Sequence, residues 1–243
     1  MSSADPGRTY VLVHGSWAGG WVWSRLTPLL EAAGHHVHTP TLPGLAERGD
    51  DPRGAGIGLH AHIDDLLGHL EREDLERVTL VGHSYGGMVI TGVAGRASHR
   101  VSALVYIDAF VPEPGQSCFD IVPWLADVFA DLAGGGESAR PLDPAAIGVD
   151  DPGDAAWLRA GSTPMPLRTH REPLPGPPPA ADLPRMFVRC LRFDAFAETA
   201  AQFQARGLPT AELDSHHYVQ ASRPADLADL LLADVPARTE TTP

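Results

Sequence analysis

Apolar positions along this chain fall into short β-branched runs and longer stretches at helical spacing, and the two kinds alternate from the start. Tyr10–Val13 is an apolar run ending at His14-Gly15, Trp21–Ala33 reads as a helix stopped by Gly34, and Val37–Thr39 is a second strand that ends near Pro40. Over Leu59–Leu70, the residues Leu59, Ile63, Leu66, Leu67 and Leu70 share one side of a helix, because positions three and four apart align on a 3.6-residue repeat. Val78–Val81 and Val101–Ile107 follow as strands, separated by the helical stretch Met88–Ala97. The second of these strands is almost wholly apolar, as expected of a parallel strand covered on both faces. Strands joined through helices imply a mostly parallel sheet with crossover connections.

After Asp108 the pattern changes. Residues 111–184 carry many prolines, the run Gly134-Gly135-Gly136 and the cluster Pro173–Pro179. A structureless insertion of that length is unusual inside a compact domain, so part of it should be helical. Phe119–Leu132 is the stretch apolar enough, with Phe119, Ile121, Trp124, Leu125, Val128, Phe129 and Leu132. The core pattern resumes with strand Met186–Leu191, helix Phe196–Arg206, strand Thr210–Leu213 and helix Ala225–Leu232. The expected organisation is one structural domain: core over 1–110, a helical cap inserted at 111–184, and core again over 185–243.

The chemistry is announced by Gly82-His83-Ser84-Tyr85-Gly86-Gly87, directly after the strand Val78–Val81 and directly before a helical stretch. A serine at such a strand–turn–helix bend has a strained backbone, and close-packed neighbours demand glycine on either side. The bend thrusts Ser84 Oγ above the sheet as a nucleophile awaiting a base. Two N–H groups should face the developing oxyanion: that of Tyr85, next after the nucleophile, and that of Ser16, in the loop after the first strand, where Gly15 permits close approach. Around them Gly15, Trp17, His83, Phe119, Trp124, Phe129 and Tyr218 are the expected pocket residues. Trp21 and Trp23 should instead pack the first helix against the sheet.

A serine needs a base and the base an orienting group. Of the histidines after Ser84, only His216 and His217 follow a late strand in a turn that could reach back over the sheet. Two acids compete. Asp108 follows Val101–Ile107 immediately, in apolar surroundings where an unpartnered carboxylate would be costly. Asp194 follows Met186–Leu191 less tightly. Asp108 is the preferred acid and Asp194 the alternative.

Composition narrows the rest. A net charge of −13 with no basic tract argues against nucleic acid. No stretch is long and apolar enough to span a membrane, and the opening Met1–Arg8 lacks the apolar core of a secretion signal. Cys118 and Cys190 read as buried free thiols of a reducing compartment, so a cytoplasmic protein is expected, with room for a homodimer. The run His60-Ala61-His62-Ile63-Asp64-Asp65 imitates a metal motif, but it lies in a helical pattern where positions two apart diverge. His36 and His38 read as a solvated strand face. No metal site and no cofactor are expected.

Together these segments resemble the α/β-hydrolase superfamily over nearly the whole chain. Val11–Trp23 and Pro28–His35 resemble the opening of the plant methyl-esterase and hydroxynitrile-lyase group, and Gly82–Val89, Leu104–Pro112 and Asp151–Trp157 resemble its small bacterial esterase-like members. The resemblance implies the α/β-hydrolase fold and selects His217 over His216 as the base, two residues after Ser215. It implies ester hydrolysis; with the expected triad and apolar cap, the expectation is a serine hydrolase for a small, hydrophobic carboxylic ester, thioester or lactone, working through an acyl-enzyme. The lyases of the group carry a threonine where Gly15 stands and a lysine where Tyr218 stands, and the plant esterases carry their acid where Phe193 stands. A non-hydrolytic enzyme (a lyase, or a cofactor-free oxygenase or cyclase) using the same triad is the alternative, and a ligand-binding member without catalysis a further one.

Overall fold

The computed structural model describes residues 7–235, so most of the polar opening and the end of the 185–243 segment lie outside the described residues. Six strands form one parallel sheet: β1 (Thr9–Val13), β2 (His36–His38), β3 (Val78–His83), β4 (Val101–Ile107), β7 (Arg185–Cys190) and β8 (Thr210–Leu213), in the order β2-β1-β3-β4-β7-β8. Two further short strands, β5 (Ser138–Ala139) and β6 (Met165–Pro166), pair antiparallel outside it.

Side chains alternate across a strand, and the alternation sorts the core into two layers. Val11, Val13, Leu80, Leu104, Tyr106 and Phe187 face α2 (Leu59–Arg72), α3 (Gly86–Arg96) and α8 (Ala197–Ala205). Tyr10, Leu12, Val81, Val105, Ile107 and Val188 face α1 (Thr27–Ala32) and α10 (Pro224–Leu232). The result is the α/β-hydrolase fold, a mostly parallel sheet between two layers of helices. Register places the functional loops. Val13 pairs with Gly82, His83 with Ile107, Ile107 with Val188 and Cys190 with Leu213, so the carboxyl ends of five strands share one edge.

Between β4 and β7 the chain inserts α4 (Cys118–Ile121), α5 (Leu125–Ala133), the β5/β6 ribbon, α6 (Pro152–Gly161) and α7 (Arg168–Arg171). Two helices expected as single pieces are broken. The Phe119–Leu132 stretch divides into α4 and α5 around Pro123, which lacks an N–H and excludes the helical state from its predecessor. The Trp21–Ala33 stretch divides into a 3-10 turn at Gly20–Trp23 and α1, with Pro28 in the first turn of α1. Trp23 is buried in the sheet core as expected, and Trp21, partly buried at the margin of the same core, packs edge-on against Trp157 of α6, with ring centroids 4.7 Å apart. A final short helix, α9 (Val219–Ser222), precedes α10.

Candidate active site

Three non-glycine residues with left-handed backbone stand at the sheet's carboxyl edge: Trp17 after β1 (φ 61°), Ser84 after β3 (φ 53°) and Asp108 after β4 (φ 44°). Such conformations persist where surrounding structure over-determines them. Here backbone hydrogen bonds do so: Ser84 N donates to Ile107 O (3.1 Å), Phe110 N to Ser84 O (3.2 Å) and Asp108 N to Val188 O (2.7 Å). The glycines of the bend are sterically required. A Cβ on Gly82 would lie 2.7 Å from the Gly86 carbonyl carbon, and one on Gly86 would lie 2.4 Å from Val13 O.

His217, beyond β8, lies against Asp108: its Nδ1 donates to Asp108 Oδ2 at 2.6 Å, and Cys190 N donates to the other carboxylate oxygen at 3.2 Å. Both side chains are buried, and burial disfavours charge on each. It pushes the imidazole below its ordinary pKa and the carboxyl above its own. The hydrogen bond fixes the tautomer, leaving Nε2 of the neutral ring as an acceptor. Phe196 stacks on the His217 ring, and Phe193 packs against it at 4.6 Å. Strand β7 thus delivers an aromatic ring, and β4 the carboxylate.

The competing candidates lie elsewhere. Asp194 is a surface residue with its side chain 86% exposed, ion-paired to Arg189. His216 is turned away from Ser84: its Nδ1 accepts from Tyr218 N (3.1 Å), and its Nε2 faces Asp154 of α6 at 3.6 Å.

A cavity lies between the sheet edge and the inserted segment. Ser84 and His217 border it from the sheet side, joined by Ser16, Phe110, Phe193, Phe196 and Tyr218, while Trp124, Leu125, Val128, Phe129, Ile147 and His170 close it from the insertion. Ser84 is 8% exposed. Trp17 also lines the cavity, stacked on Phe129 with centroids 4.9 Å apart. Of the expected pocket residues, Trp17, Trp124, Phe129 and Tyr218 stand on this wall; Gly15, His83 and Phe119 are not among its lining residues. Gly15 is pressed behind Ser84, where a Cβ would meet Ser84 Cβ at 2.9 Å. His83 is fully buried and donates from Nε2 to His217 O at 2.9 Å, holding the backbone of the loop. Phe119 packs on Phe129 and His170. The N–H groups of Ser16 and Tyr85 have no hydrogen-bond acceptor among the described residues.

Among the lining residues that the sequence reading did not assign to the site, such as Phe110, Val128 and Phe196, His170 is the polar one. His170 of α7 is 1% exposed and in contact with Ser16, Tyr85, Phe110 and Phe129. It sits far from any late strand, and no local motif marks it.

The metal-like run on α2 is dispersed. His60 faces the Pro173 carbonyl, His62 is buried against Tyr85 and Pro43, Asp64 pairs with Arg96, and Asp65 receives a two-pronged contact from Arg48. No group of three or more His, Cys, Asp or Glu side chains among the described residues is arranged to hold a metal ion. His36 is exposed and His38 rests on His69. Cys118 and Cys190 are buried free thiols. No helix among the described residues is long and apolar enough to cross a membrane.

The combination of a parallel sheet and a serine bend at its carboxyl edge is that of a hydrolase scaffold. Residues 10–230 match the alpha/beta hydrolase family, and the chain belongs to that family. It is 41% identical over 177 residues to a carbendazim hydrolyzing esterase of Nocardioides sp. (strain SG-4G), covering 68% of this chain and 72% of that one. It is 42% identical over 111 residues to salicylic acid-binding protein 2 of Nicotiana tabacum, covering 44% of this chain but only 41% of the plant protein. Among solved structures, an extracellular alpha/beta-hydrolase from a Paenibacillus species superposes with TM-score 0.77 at 23% identity, over 93% of this chain and 98% of the other. Esterases recur among the relatives, which supports placing this enzyme with the carboxylic ester hydrolases.

Proposed function

We propose that the chain is a serine esterase in which His217, oriented by Asp108, takes the proton of Ser84 as Ser84 attacks the carbonyl of a small hydrophobic ester. The observation that carries this reading is the 2.6 Å hydrogen bond from His217 Nδ1 to Asp108, made by a histidine that borders the same cavity as the bend serine. The bond leaves Nε2 free of hydrogen, as a base requires. The N–H groups of Ser16 and Tyr85 hold the oxyanion of the tetrahedral intermediate, and α3, which begins two residues after Ser84, adds the positive end of its dipole. His217 then protonates the leaving alcohol, and its return to the neutral form activates water to release the acid from the acyl-enzyme. No metal or organic cofactor enters any of these steps.

The inserted segment acts as the cap of the site. Its contribution to the wall is rings and aliphatic chains, and no Lys, Arg, Asp or Glu side chain among the described residues lines the cavity. An uncharged substrate with an apolar or aromatic acyl or alcohol part fits such a wall, because an unpaired ion would be desolvated there without compensation. The test is turnover of p-nitrophenyl butyrate and labelling by a fluorophosphonate. Wild-type protein should turn over the ester and take the label on Ser84, and Ser84→Ala should do neither. Full turnover by Ser84→Ala would sink the reading.

A further inference from the structure

We propose that His170 is a positioning residue that ties both oxyanion donors to the inserted segment. The inference rests on the reading of Ser16 and Tyr85 as those donors and extends it to a residue outside the triad.

Hydrogen-bond directions follow from the groups that can only accept. The Thr169 hydroxyl lies 2.6 Å from the Pro166 carbonyl, so its single proton goes there. Thr169 Oγ1 also lies 2.8 Å from His170 Nδ1. With the Thr169 proton committed, Nδ1 must carry the hydrogen and donate. A neutral imidazole then has a bare Nε2, and that atom lies 3.0 Å from Ser16 Oγ. The Ser16 hydroxyl is therefore the donor. Burial keeps the ring neutral, with its pKa lowered to about 3, so this tautomer persists at ordinary pH.

The same ring stacks on Tyr85, with centroids 4.9 Å apart and planes 21° from parallel. The far end of Tyr85 is fixed in turn. His62 Nε2 faces the Pro43 carbonyl at 3.0 Å and must donate to it, which leaves Nδ1 to accept from the Tyr85 hydroxyl at 2.8 Å. One imidazole of the insertion thus holds Ser16 by a hydrogen bond and Tyr85 by a ring face. The two N–H groups they present come from separate loops, after β1 and after β3. Register brings the two loops together, with Val13 paired to Gly82, and His170 braces both from the insertion. His170 also lies 4.2 Å from Phe129 on the cavity wall, so seating of the insertion and alignment of the oxyanion donors are one event.

The experiment is a double-mutant cycle on ester turnover with Ser16→Ala, His170→Phe and the pair, alongside His170→Gln, Thr169→Val and Ser84→Ala. Each of Ser16→Ala and His170→Phe should lower kcat by about tenfold, well short of the ~100- to 1,000-fold lost when a whole oxyanion donor is deleted. KM should stay within about twofold, the signature of an interaction felt in the transition state rather than in binding. The pair should be no slower than the slower single variant, because both remove one bond. His170→Gln, whose amide oxygen can accept where Nε2 does, should recover most of the loss. Thr169→Val frees the tautomer and should fall between wild type and His170→Phe. Losses that multiply in the pair, an unchanged kcat in Ser16→Ala, or a His170→Gln no better than His170→Phe would each overturn the proposal. Should His170→Phe fail to fold, Ser16→Ala and Thr169→Val decide the matter. Residual full activity in Ser84→Ala strikes instead at the esterase reading, whatever the histidine variants do.

Discussion

The sheet edge and the inserted segment face each other across one cavity, and they hold their residues by different means. On the sheet side Ser84 has its backbone N–H bound to Ile107 and its carbonyl bound to Phe110, Asp108 is bound to Val188, and the register of four neighbouring strands sets the spacing between them. Across the cavity the longest uninterrupted elements are the ten residues of α6 and the nine of α5, and the only strands have two residues each. What the insertion offers is ring packing, Phe129 on Trp17 and on His170, with scattered hydrogen bonds to the sheet-edge loops, among them Ser16–His170, Trp17 Nε1 to Ala139 O and His217 N to Ile147 O. Rigid strands place reacting groups to within the tolerance chemistry demands, while short elements over them shape what enters. The division predicts that substitutions at the sheet edge act on kcat and that those in the insertion, outside the Thr169–His170 brace, act on stability and KM.

The largest effect expected from that division is at the acid. Asp108→Asn should lower kcat by about 10,000-fold with folding retained, as when the acid of a known triad loses its charge and the histidine its tautomer. Asp194→Asn, at an exposed ion pair, should stay within about twofold, since surface pairs contribute ~0–1 kcal/mol. Steady-state kinetics on one ester measures both. A crippled Asp194→Asn beside an active Asp108→Asn would reassign the triad and move the decisive carboxylate from β4 to β7.

Next comes the core of the insertion itself. Phe129 is 1% exposed and packs with Ala139 and Leu167 in a cluster separate from the two sheet layers. Phe129→Ala removes a buried ring and should cost about 3–5 kcal/mol, the range for aromatic truncation in a core, read as a lowered denaturation midpoint. Turnover should fall by no more than about tenfold, through loosening of His170, far less than at the triad. A loss of turnover as deep as that of Asp108→Asn would erase the distinction between the two walls.

Much of this comparison could be read from the chain before any coordinates. The bend was legible because its glycines answer a steric demand that is local: Gly82 and Gly86 clash with backbone only a few residues or one strand away. Asp108 was legible because a carboxylate in the run Val105–Phe110 needs a partner. The choice of His217 was not local. His216 is excluded by Tyr218 N and by Asp154 of α6, and only the family resemblance preferred its neighbour. His83 was misplaced although a signal existed. It shares its strand face with Val81, away from the cavity and toward Trp23, as two-residue alternation requires. Pro123 and Pro28 likewise marked the two helix breaks. His170 had no such mark, because its partners Ser16 and Tyr85 are brought to it only by the tertiary fold.

Acid titration probes the buried imidazoles on both sides of the cavity at once, with a smaller effect per group. Burial lowers His14 and His62 to about 4 and His170 to about 3, from an ordinary 6.5. Between those values the unfolded chain binds protons that the folded chain refuses. Stability is therefore fully present above pH 6.5 and declines as pH falls toward 4, by about 1.4 kcal/mol per pH unit for each such group. Denaturant midpoints measured at pH 7, 6, 5 and 4 should drop steadily; a flat series would mean that the imidazoles are not held neutral. Catalysis should respond later. His217 is also pushed below its ordinary value by burial, so kcat/KM should remain level as pH passes down through 6.5 and fall only in more acid buffer. An inflection at the ordinary histidine value would indicate a solvated base and break the reading of the sheet edge as a dry, preorganised wall.

The smallest effect separates the walls most cleanly. Trp124 precedes α5, borders the cavity and is 52% exposed, an unusual state for so large an apolar side chain. Its indole has little buried area to lose, so Trp124→Ala should change folding stability by less than about 0.5 kcal/mol, as substitutions away from the core do. Contact with an apolar substrate at the mouth of the cavity would be lost. The expected result is a several-fold rise in KM for long-chain or aromatic p-nitrophenyl esters with kcat nearly unchanged, the pattern of lost uniform binding. For the acetate, which is too short to reach the mouth, KM should hardly move. A fall in kcat shared equally by short and long esters would place Trp124 in the alignment of the reacting groups and show that the insertion governs chemistry at its rim as well as through His170.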